Sequence, residues 1–195
     1  YLQQLDVQNN QQRAQLRMAE AQLLRDAGRY QEAYDLLGRA LEKLPNYPDL
    51  LYDYAMAAEK VDRLDVMESN LRRLIQLKPD HAHAYNALGY TLADRNLRLQ
   101  EARELIARAL KLAPDDPFIM DSMGWVEYRL GNTTASVEIL QGAYKIRADP
   151  EIAAHLGEVL WAKGDRTEAQ RVLQSALKEH PDNEVLRNTV KRLVP

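Results

Sequence analysis

Four histidines are the side chains in this 195-residue sequence best suited to acid–base or metal chemistry. His81 and His83 are two residues apart, so a helix would point them to different sides, and no third metal ligand is nearby. His155 and Glu158 are three residues apart, a spacing that lets them pair on one helix face. No nucleophile or oxyanion device accompanies His155, so we expect it to have a structural or peptide-contacting role.

Motifs and composition exclude several classes of function. The GxxxxGK[ST], GxGxxG, GxSxG and HExxH motifs are all absent, which favours a non-enzymatic protein without cofactor, metal ion or small-molecule substrate. A net charge of −3 gives no basic footprint for nucleic acid. There is no cysteine and no apolar run of about 20 residues that could cross a membrane. The sequence begins at Tyr1 without Met, so we expect a fragment or mature form whose localisation signal is missing.

Three large rings crowd the segment "FIMDSMGWVEYRLGN", residues 118–132. Phe118, Trp125 and Tyr128 surround Gly124 in a chain that has only two Trp and one Phe. Rings that point inward would serve packing, whereas rings that point outward would form a surface that holds a partner. The elements that carry these residues decide between the two.

Those elements repeat with a period of about 34 residues. The phrases "RALEKLP", "RLIQLKP", "RALKLAP" and "SALKEHP" end at prolines separated by 34, 35 and 67 residues, namely Pro45, Pro79, Pro114 and Pro181. In the skipped interval "QGAYKIRADP" fills the missing slot, with Ala148 where proline would stand. A period of this length indicates an array of repeated supersecondary units.

Each unit has the pattern of two amphipathic helices. Tyr85, Leu88, Gly89 and Leu92 follow the 0, 3, 4, 7 spacing, and a second helix repeats it from Ala102. "DDP" and "ADP" predict N-caps at Asp116 and Asp149 with Pro117 and Pro150 in the first helical position. Gly131 and Gly164 are suited to the left-handed turn that ends a first helix. No segment shows strand alternation, so the fold class is all-α.

These units resemble tetratricopeptide repeats. "AGRYQEAYDLLGRALEKLP" and "KGDRTEAQRVLQSALKEHP" match the second half of that motif, and "AYNALGYTLAD", "DSMGWVEYRLG" and "AAHLGEVLWAKG" match the first. The resemblance implies a right-handed superhelical array of helix-turn-helix hairpins, with small residues such as Gly124 where two helices approach closely. We expect five repeats over residues 14–47, 48–81, 82–116, 117–149 and 150–182. Residues 1–13 would be the tail of an earlier helix and a turn at Asn9 and Asn10, with more repeats upstream, and 183–195 a C-terminal capping helix.

In this family the first helix of each hairpin lines a concave groove. The resemblance puts Trp125 and Tyr128 on that surface, and Met123 and Gly124 on the packing side. The predicted partner-binding groove comprises Tyr52, Met56, Asn86, Tyr90, Phe118, Asp121, Ser122, Trp125, Tyr128, His155, Glu158 and Trp161. Exposed aromatic side chains in a concavity are typical anchors for a bound peptide. The alternative is that some of these rings fill gaps between neighbouring first helices.

The groove residues also indicate which peptide is favoured. The family's clamp for acidic chaperone C-termini needs a set of Lys, Asn and Arg that no three consecutive repeats supply here. Asp121, Glu151 and Glu158 instead make the predicted groove partly acidic, so a basic or apolar peptide fits better.

The sequences of repeats three to five also resemble a particular group within this family. "NALGYTLAD", "DSMGWVEYRLG" and "DPEIAAHLGEVLWAKG" are similar to the C-terminal repeats of outer-membrane lipoproteins in Gram-negative bacteria, one of which binds a periplasmic carboxyl-terminal processing protease. The resemblance implies an adaptor that presents substrates such as cell-wall hydrolases to the protease, and that is periplasmic and anchored by a lipid outside this sequence. The alternatives are an assembly or chaperone-like factor, cytoplasmic or at the inner membrane, and the regulatory repeats of a longer enzyme. A self-associating structural array also remains open.

Overall fold

The computed structural model describes the backbone of residues 2–193 and the side chains of residues 9–193. Within that range the chain forms eleven helices and no strand. They are α1 (Leu2–Asp26), α2 (Tyr30–Lys43), α3 (Pro48–Lys60), α4 (Leu64–Leu77), α5 (Ala82–Asp94), α6 (Leu99–Leu112), α7 (Pro117–Arg129), α8 (Thr133–Ile146), α9 (Pro150–Lys163), α10 (Arg166–Glu179) and α11 (Glu184–Leu193). None of the helices in this range combines the length and apolar character that crossing a bilayer requires.

Helices α3, α5, α7 and α9 begin where the sequence predicts repeats two to five to start: Pro48, Ala82, Pro117 and Pro150. The predicted caps are confirmed. The Asp116 carboxylate accepts hydrogen bonds from the backbone N–H groups of Phe118 and Ile119, at 2.9 and 3.2 Å. The Asp149 carboxylate accepts one from Glu151 at 2.9 Å. These bonds satisfy donors that the first turn of a helix leaves free.

Left-handed glycines end two of the first helices, as predicted. Gly131 has a φ of +89° and Gly164 a φ of +98°, a conformation that glycine adopts without steric cost. Each turn sends the chain back along the helix that it has just left.

The predicted turn at Asn9 and Asn10 is wrong. Helix α1 runs without interruption from Leu2 to Asp26 and therefore includes both asparagines. The segment holds no Gly or Pro and is dominated by Gln, Leu, Ala and Arg. An Asn in a helix costs no more than about 0.7 kcal/mol relative to Ala, which these good helix formers offset.

The chain divides into two compact units, Tyr1–Ala84 and Tyr85–Pro195. In the first unit, small residues of α1 and α2 meet larger apolar side chains in a buried cluster of Ala14, Ala21, Ala33, Leu36, Leu37, Leu50 and Ala57. Tyr34 and Tyr54 stack beside this cluster, with ring centroids 4.9 Å apart. The alanines on α1 allow the helices to approach closely enough to exclude water.

In the second unit, glycines bring each first helix close to its second helix. A Cβ at Gly124 would lie 2.5 Å from Cγ of Leu140 on α8, and one at Gly157 would lie 2.5 Å from Cγ of Leu173 on α10. Ser136 adds a polar tie between α7 and α8, because its buried hydroxyl donates to the Gly124 carbonyl at 2.6 Å. The close approach expected from the "Leu-Gly" and "Met-Gly" pairs is therefore present.

Helix α11 packs on α9 and α10. Leu186 is fully buried there and Thr189 is 6% exposed, whereas Val185 remains 46% exposed. The contact of α11 therefore buries a narrow apolar side of the helix.

Candidate functional site

Three first helices of the second unit bring a histidine, a carboxylate and a phenol together. His155 on α9 places its Nδ1 3.0 and 2.9 Å from the two carboxylate oxygens of Asp121 on α7, so the imidazole N–H donates to the carboxylate. The Nε2 of the same ring lies 3.5 Å from the hydroxyl oxygen of Tyr90 on α5. Side chains of α5 and α9 therefore meet across α7.

The contacts of His155 across α7 explain why Trp125 is buried. Its ring stacks on His155 with centroids 4.4 Å apart and lies 5.4 Å from the ring of Tyr128. Only 5% of Trp125 is exposed. The prediction that Trp125 is an exposed anchor is wrong, and the alternative of a ring that fills the gap between first helices is correct for it.

Two further residues of the predicted groove are also buried. Asp121 is 7% exposed and Ser122 is 3% exposed. The Ser122 hydroxyl donates to the carbonyl of Phe118, one turn earlier on α7, at 3.0 Å. The structure therefore corrects the prediction that these side chains line an open surface.

The expected pairing of His155 with Glu158 is replaced by two other pairs. Asp121 pairs with His155, and Glu158 pairs with Arg192 on α11 at 2.5 Å between Oε2 and Nη2. The partners in each pair are 34 residues apart, which is one repeat. That spacing is the sequence signal that could have identified both pairs, since equivalent turns of successive first helices lie side by side.

The electrostatics of His155 follow from this geometry. Burial lowers the pKa of the imidazole, but the carboxylate of Asp121, followed by those of Glu158 and Asp94, outweighs burial and leaves the pKa raised above its ordinary value of 6.5. The Asp121–His155 pair is almost enclosed, with side-chain exposures of 9% and 14%.

The same pairs change the expected charge of the groove. Asp121 is hydrogen-bonded to His155 and Glu158 is paired with Arg192, whereas Glu151 stays exposed. Two of the three carboxylates that favoured a basic peptide are therefore engaged within the protein. The preference for a basic peptide loses most of its support.

The remaining predicted site residues fall into two groups. In the second unit Asn86, Tyr90, Tyr128 and Trp161 are half-buried, and Phe118 is 40% exposed with the Arg147 guanidinium 5.0 Å from its ring centre. The Arg166 guanidinium lies 5.2 Å from the ring centre of Trp161. Tyr52 and Met56 belong to the first unit, where both are half-buried and Tyr52 stacks on His81 at 5.5 Å.

The site offers binding chemistry more readily than catalysis. Nε2 of His155 faces a tyrosine hydroxyl rather than a serine or cysteine nucleophile. Among the described residues, no group of three or more His, Asp or Glu side chains could hold a metal ion. What the cluster provides is rings and polar groups held in fixed positions, which suits recognition.

Family models match the chain over three stretches. Each is a tetratricopeptide repeat model, and they cover residues 24–65, 68–117 and 155–183, together more than half of the chain. The chain belongs to the tetratricopeptide repeat family. Proteins of this family generally bind other proteins, so the family membership supports a protein–protein interaction scaffold.

A relative with a longer sequence covers almost all of this tetratricopeptide chain. TPR repeat-containing protein PA4667 of Pseudomonas aeruginosa is 52% identical over 179 residues, which are 92% of this chain and 30% of the relative. A second similarity, 34% over 100 residues, is to the protein O-mannosyl-transferase Tmtc1 of Drosophila melanogaster, of which the chain spans 12%. The chain thus corresponds to less than a third of the length of either protein.

Solved structures confirm the tetratricopeptide fold. The protein TTC0263 of Thermus thermophilus superposes with a TM-score of 0.84 at 24% identity, over 93% of this chain and all of that one. PilF of Pseudomonas aeruginosa superposes with a TM-score of 0.72 at 16% identity, over 96% of this chain and 94% of that one. At these identities the likeness concerns the fold alone, and it confirms the predicted all-α class.

Proposed function

We propose that this chain is a non-catalytic scaffold that holds a protein partner against the first helices of its second unit. This surface, the first-helix face, consists of Asn86, Tyr90, Phe118, Tyr128, Arg129, His155, Glu158 and Trp161. The observation that carries the proposal is the Tyr90–His155–Asp121 chain stacked on Trp125, which fixes the three helices under this face. A preorganised surface loses less conformational entropy when it binds.

The aromatic rings on this face supply binding energy. Phe118, Tyr128 and Trp161 each leave part of a large ring accessible, and such rings are the residues that most often dominate protein interfaces. Trp125 serves from beneath by holding His155 and Tyr128 in place. An extended or helical segment of the partner would lie across these rings.

A narrower proposal concerns the partner. The resemblance of repeats three to five to Gram-negative outer-membrane lipoproteins supports an adaptor that binds a periplasmic carboxyl-terminal processing protease and presents cell-wall hydrolases to it. The 52% identity to a Pseudomonas protein agrees with such a bacterial source. In this proposal the full protein is periplasmic and attached to the outer membrane by a lipid outside the present chain.

A second candidate is the regulatory repeat region of a longer enzyme. The similarity to a protein named as an O-mannosyl-transferase, of which the matched part is only 12%, favours this candidate. The sequence of the full-length protein separates the two, because a lipid-attachment motif supports the adaptor and an appended catalytic domain supports the enzyme.

Affinity capture from a bacterial envelope extract tests the scaffold and its surface. We expect the chain to recover a processing protease or a cell-wall hydrolase, and a Phe118→Ala/Trp161→Ala variant to lose it. The matched control is Leu77→Ala/Ile146→Ala, since these two side chains are 44% and 55% exposed and belong to the second helices α4 and α8. All three proteins should melt alike.

Two outcomes would contradict the proposal in different ways. Equal recovery by both variants would keep the scaffold but remove the first-helix face as its binding surface. Recovery of no protein by the unmodified chain would contradict the scaffold role of these repeats.

A further inference from the structure

The outer side of α1 carries the two most exposed large apolar side chains among those that the structure describes. Leu16 is 65% exposed and Leu23 is 71% exposed. They are seven residues apart, which is two turns of an α-helix, so both lie on the same side. Ala14 and Ala21 have the same spacing and are buried in the cluster that joins α1 to α2 and α3. The two leucines therefore face away from the core of the first unit.

The row that contains these leucines has the spacing of a contact between two helices. Leu16, Ala19 and Leu23 are exposed and follow one another in steps of three and four residues, and Asn9 and Gln12 continue the row towards the N-terminus. Such alternating steps keep one side of a helix against a neighbouring helix. Ala19 is small enough to let a second backbone approach, and none of the five side chains carries a charge that would have to be buried.

A groove between α1 and α2 borders this row, and its charge differs between its two ends. The helices form a hairpin, so the N-terminal half of α1 lies beside the end of α2. At that end the groove is lined by four cations, Arg13, Arg17, Arg39 and Lys43. Towards the other end it is lined by three carboxylates and one cation, namely Glu20, Glu32, Asp35 and Arg29. Asp26, at the C-terminus of α1, adds an exposed carboxylate to this second end.

Internal ion pairs leave this division of charge in place. Arg17 pairs with Glu20 and Arg29 pairs with Glu32. Among the described side chains, the other three cations of the first end have no carboxylate partner, namely Arg13, Arg39 and Lys43. The surface formed by the row and the groove is therefore cationic at one end and carries an excess of carboxylates at the other.

We propose that this surface binds a second copy of the chain, with the two α1 helices antiparallel about a two-fold axis. The surface, called the α1 face, consists of the row from Asn9 to Leu23 and the charged groove beside it. In this arrangement Leu16 of one copy lies opposite Leu23 of the second copy, with Ala19 close to the axis. Arg13 then lies at the level of Asp26 of the second copy, because both pairs are centred between residues 19 and 20 of the helix.

The distribution of charge is what favours a second copy as the occupant. Half a turn about the axis brings the cationic end of each α1 face onto the carboxylate-rich end of the other, so one surface is complementary to itself. A parallel pair would instead place Arg13 against Arg13. An anionic membrane surface would attract one end of the face and repel the other.

The proposal goes beyond the proposed function, because the α1 face belongs to the first unit and the first-helix face to the second. A dimer carries two first-helix faces, and a partner with two binding segments would gain avidity from it. The dimer itself forms or fails to form whether or not the first-helix face binds anything. A test of its assembly therefore leaves the proposed function untouched.

Sedimentation equilibrium of the chain over about 1–500 µM tests the dimer. We expect the mass to rise from monomer to dimer with concentration. Leu16→Glu/Leu23→Glu should weaken the dimer at least about thirtyfold, because two leucines are no longer buried and like charges meet across the axis. The matched control is Leu77→Glu/Ile146→Glu, whose side chains are 44% and 55% exposed on α4 and α8. It should keep the dissociation constant of the unmodified chain, and all three proteins should melt alike by circular dichroism at a concentration where each is monomeric.

A charge exchange tests the antiparallel register. Arg13→Glu should weaken the dimer about threefold to tenfold, because a carboxylate then faces Asp26 of the second copy. Asp26→Arg should weaken it similarly, since two cations then face each other. The variant with both changes exchanges the signs within each pair and should recover most of the affinity, a coupling that independent sites would not show.

Four results would overturn the proposal. The first is a monomer at every concentration, and the second is a dimer that the leucine variant leaves intact or that its control disrupts equally. Additive losses from the two charge changes would contradict the antiparallel register. A full-length protein that stays monomeric while the present chain dimerises would show that another segment of the longer protein, rather than a second copy, covers the α1 face.

Discussion

At the scale of single residues, the second unit uses Trp125 and His155 to hold first helices together. Only 5% of Trp125 is exposed, and its ring contacts the rings of His155 and Tyr128. A tryptophan in this position contributes packing that a surface anchor would not. The difference is measurable by substitution.

Trp125→Ala should destabilise the chain strongly. Removal of a buried tryptophan leaves a cavity and exposes His155, so we expect a loss of about 3–5 kcal/mol in the free energy of unfolding. Phe118→Ala is the control, because Phe118 is 40% exposed on the same helix and should cost less than about 1 kcal/mol. Denaturant titration measures the unfolding free energy of both variants. Equal losses in the two variants would contradict the burial of Trp125.

The Asp121–His155 pair should make stability depend on pH. The pKa of His155 is raised above 6.5 in the folded protein, so the folded state holds the proton more tightly than the unfolded chain. The stabilisation is complete below the unfolded pKa of 6.5 and is lost as pH rises through the folded pKa. Unfolding free energy should therefore fall as pH increases above this value.

His155→Gln isolates this effect. Burial lowers the pKa of His81 in the first unit, so His81 contributes stability in the opposite sense. The contribution of His81 is the same in the unmodified chain and in His155→Gln, so it cancels in the difference between their unfolding free energies. We expect the difference in unfolding free energy to shrink as pH rises from 6 towards about 8, and a difference that grows would show that Asp121 does not hold the proton on His155.

At the scale of helices, close approach depends on glycine at a few positions. Gly124 faces Leu140 across the α7–α8 hairpin, where a Cβ would lie 2.5 Å from Cγ. Gly142 on α8 is helical too, but a Cβ there would meet only the flexible end of Met120 at 3.3 Å. Substitution of Gly124 therefore tests the close approach of two helices, whereas substitution of Gly142 tests helix propensity.

Gly124→Leu should lower the free energy of unfolding by about 1–3 kcal/mol because the side chain forces α7 and α8 apart. Gly142→Ala should be neutral or stabilise the chain by up to about 1 kcal/mol, since alanine is the better helix former and Met120 can move. Thermal melting followed by circular dichroism compares them. A Gly124→Leu variant that melts like the unmodified chain would contradict the hairpin packing.

At the scale of the whole molecule, each hairpin of a repeat array leaves an apolar face that a neighbouring element must cover. Helix α11 covers α9 and α10 with Leu186 and ties back to Glu158 through Arg192. The stability of the second unit should therefore depend on α11.

Leu186→Ala should cost about 2–4 kcal/mol, as expected for a fully buried leucine. Val185→Ala, at the adjacent and 46% exposed position, should cost less than about 1 kcal/mol. Urea titration of both variants provides the comparison. A small effect at Leu186 would mean that α11 lies on the array without stabilising it.

The repeat, the helix starts and the caps of this protein can all be predicted from the sequence alone. Local backbone geometry explains why these features can be recognised from the sequence. This applies to the prolines from Pro45 to Pro181, to the N-cap Asp116 and to the turn glycine Gly131. The prediction of a turn at Asn9 and Asn10 was wrong because the weak turn preference of Asn is offset by the good helix formers around it.

The surroundings of the candidate site depend on contacts between repeats and could not be predicted from the sequence. The sequence places Asp121, Trp125 and His155 on the correct helices, but not the distance between these helices. Because side chains of α5 and α9 meet across α7, Trp125 is buried and Asp121 takes His155 as its partner. Charge pairing and burial depend on which side chains of different repeats come into contact. A local sequence pattern does not specify the distance between those side chains.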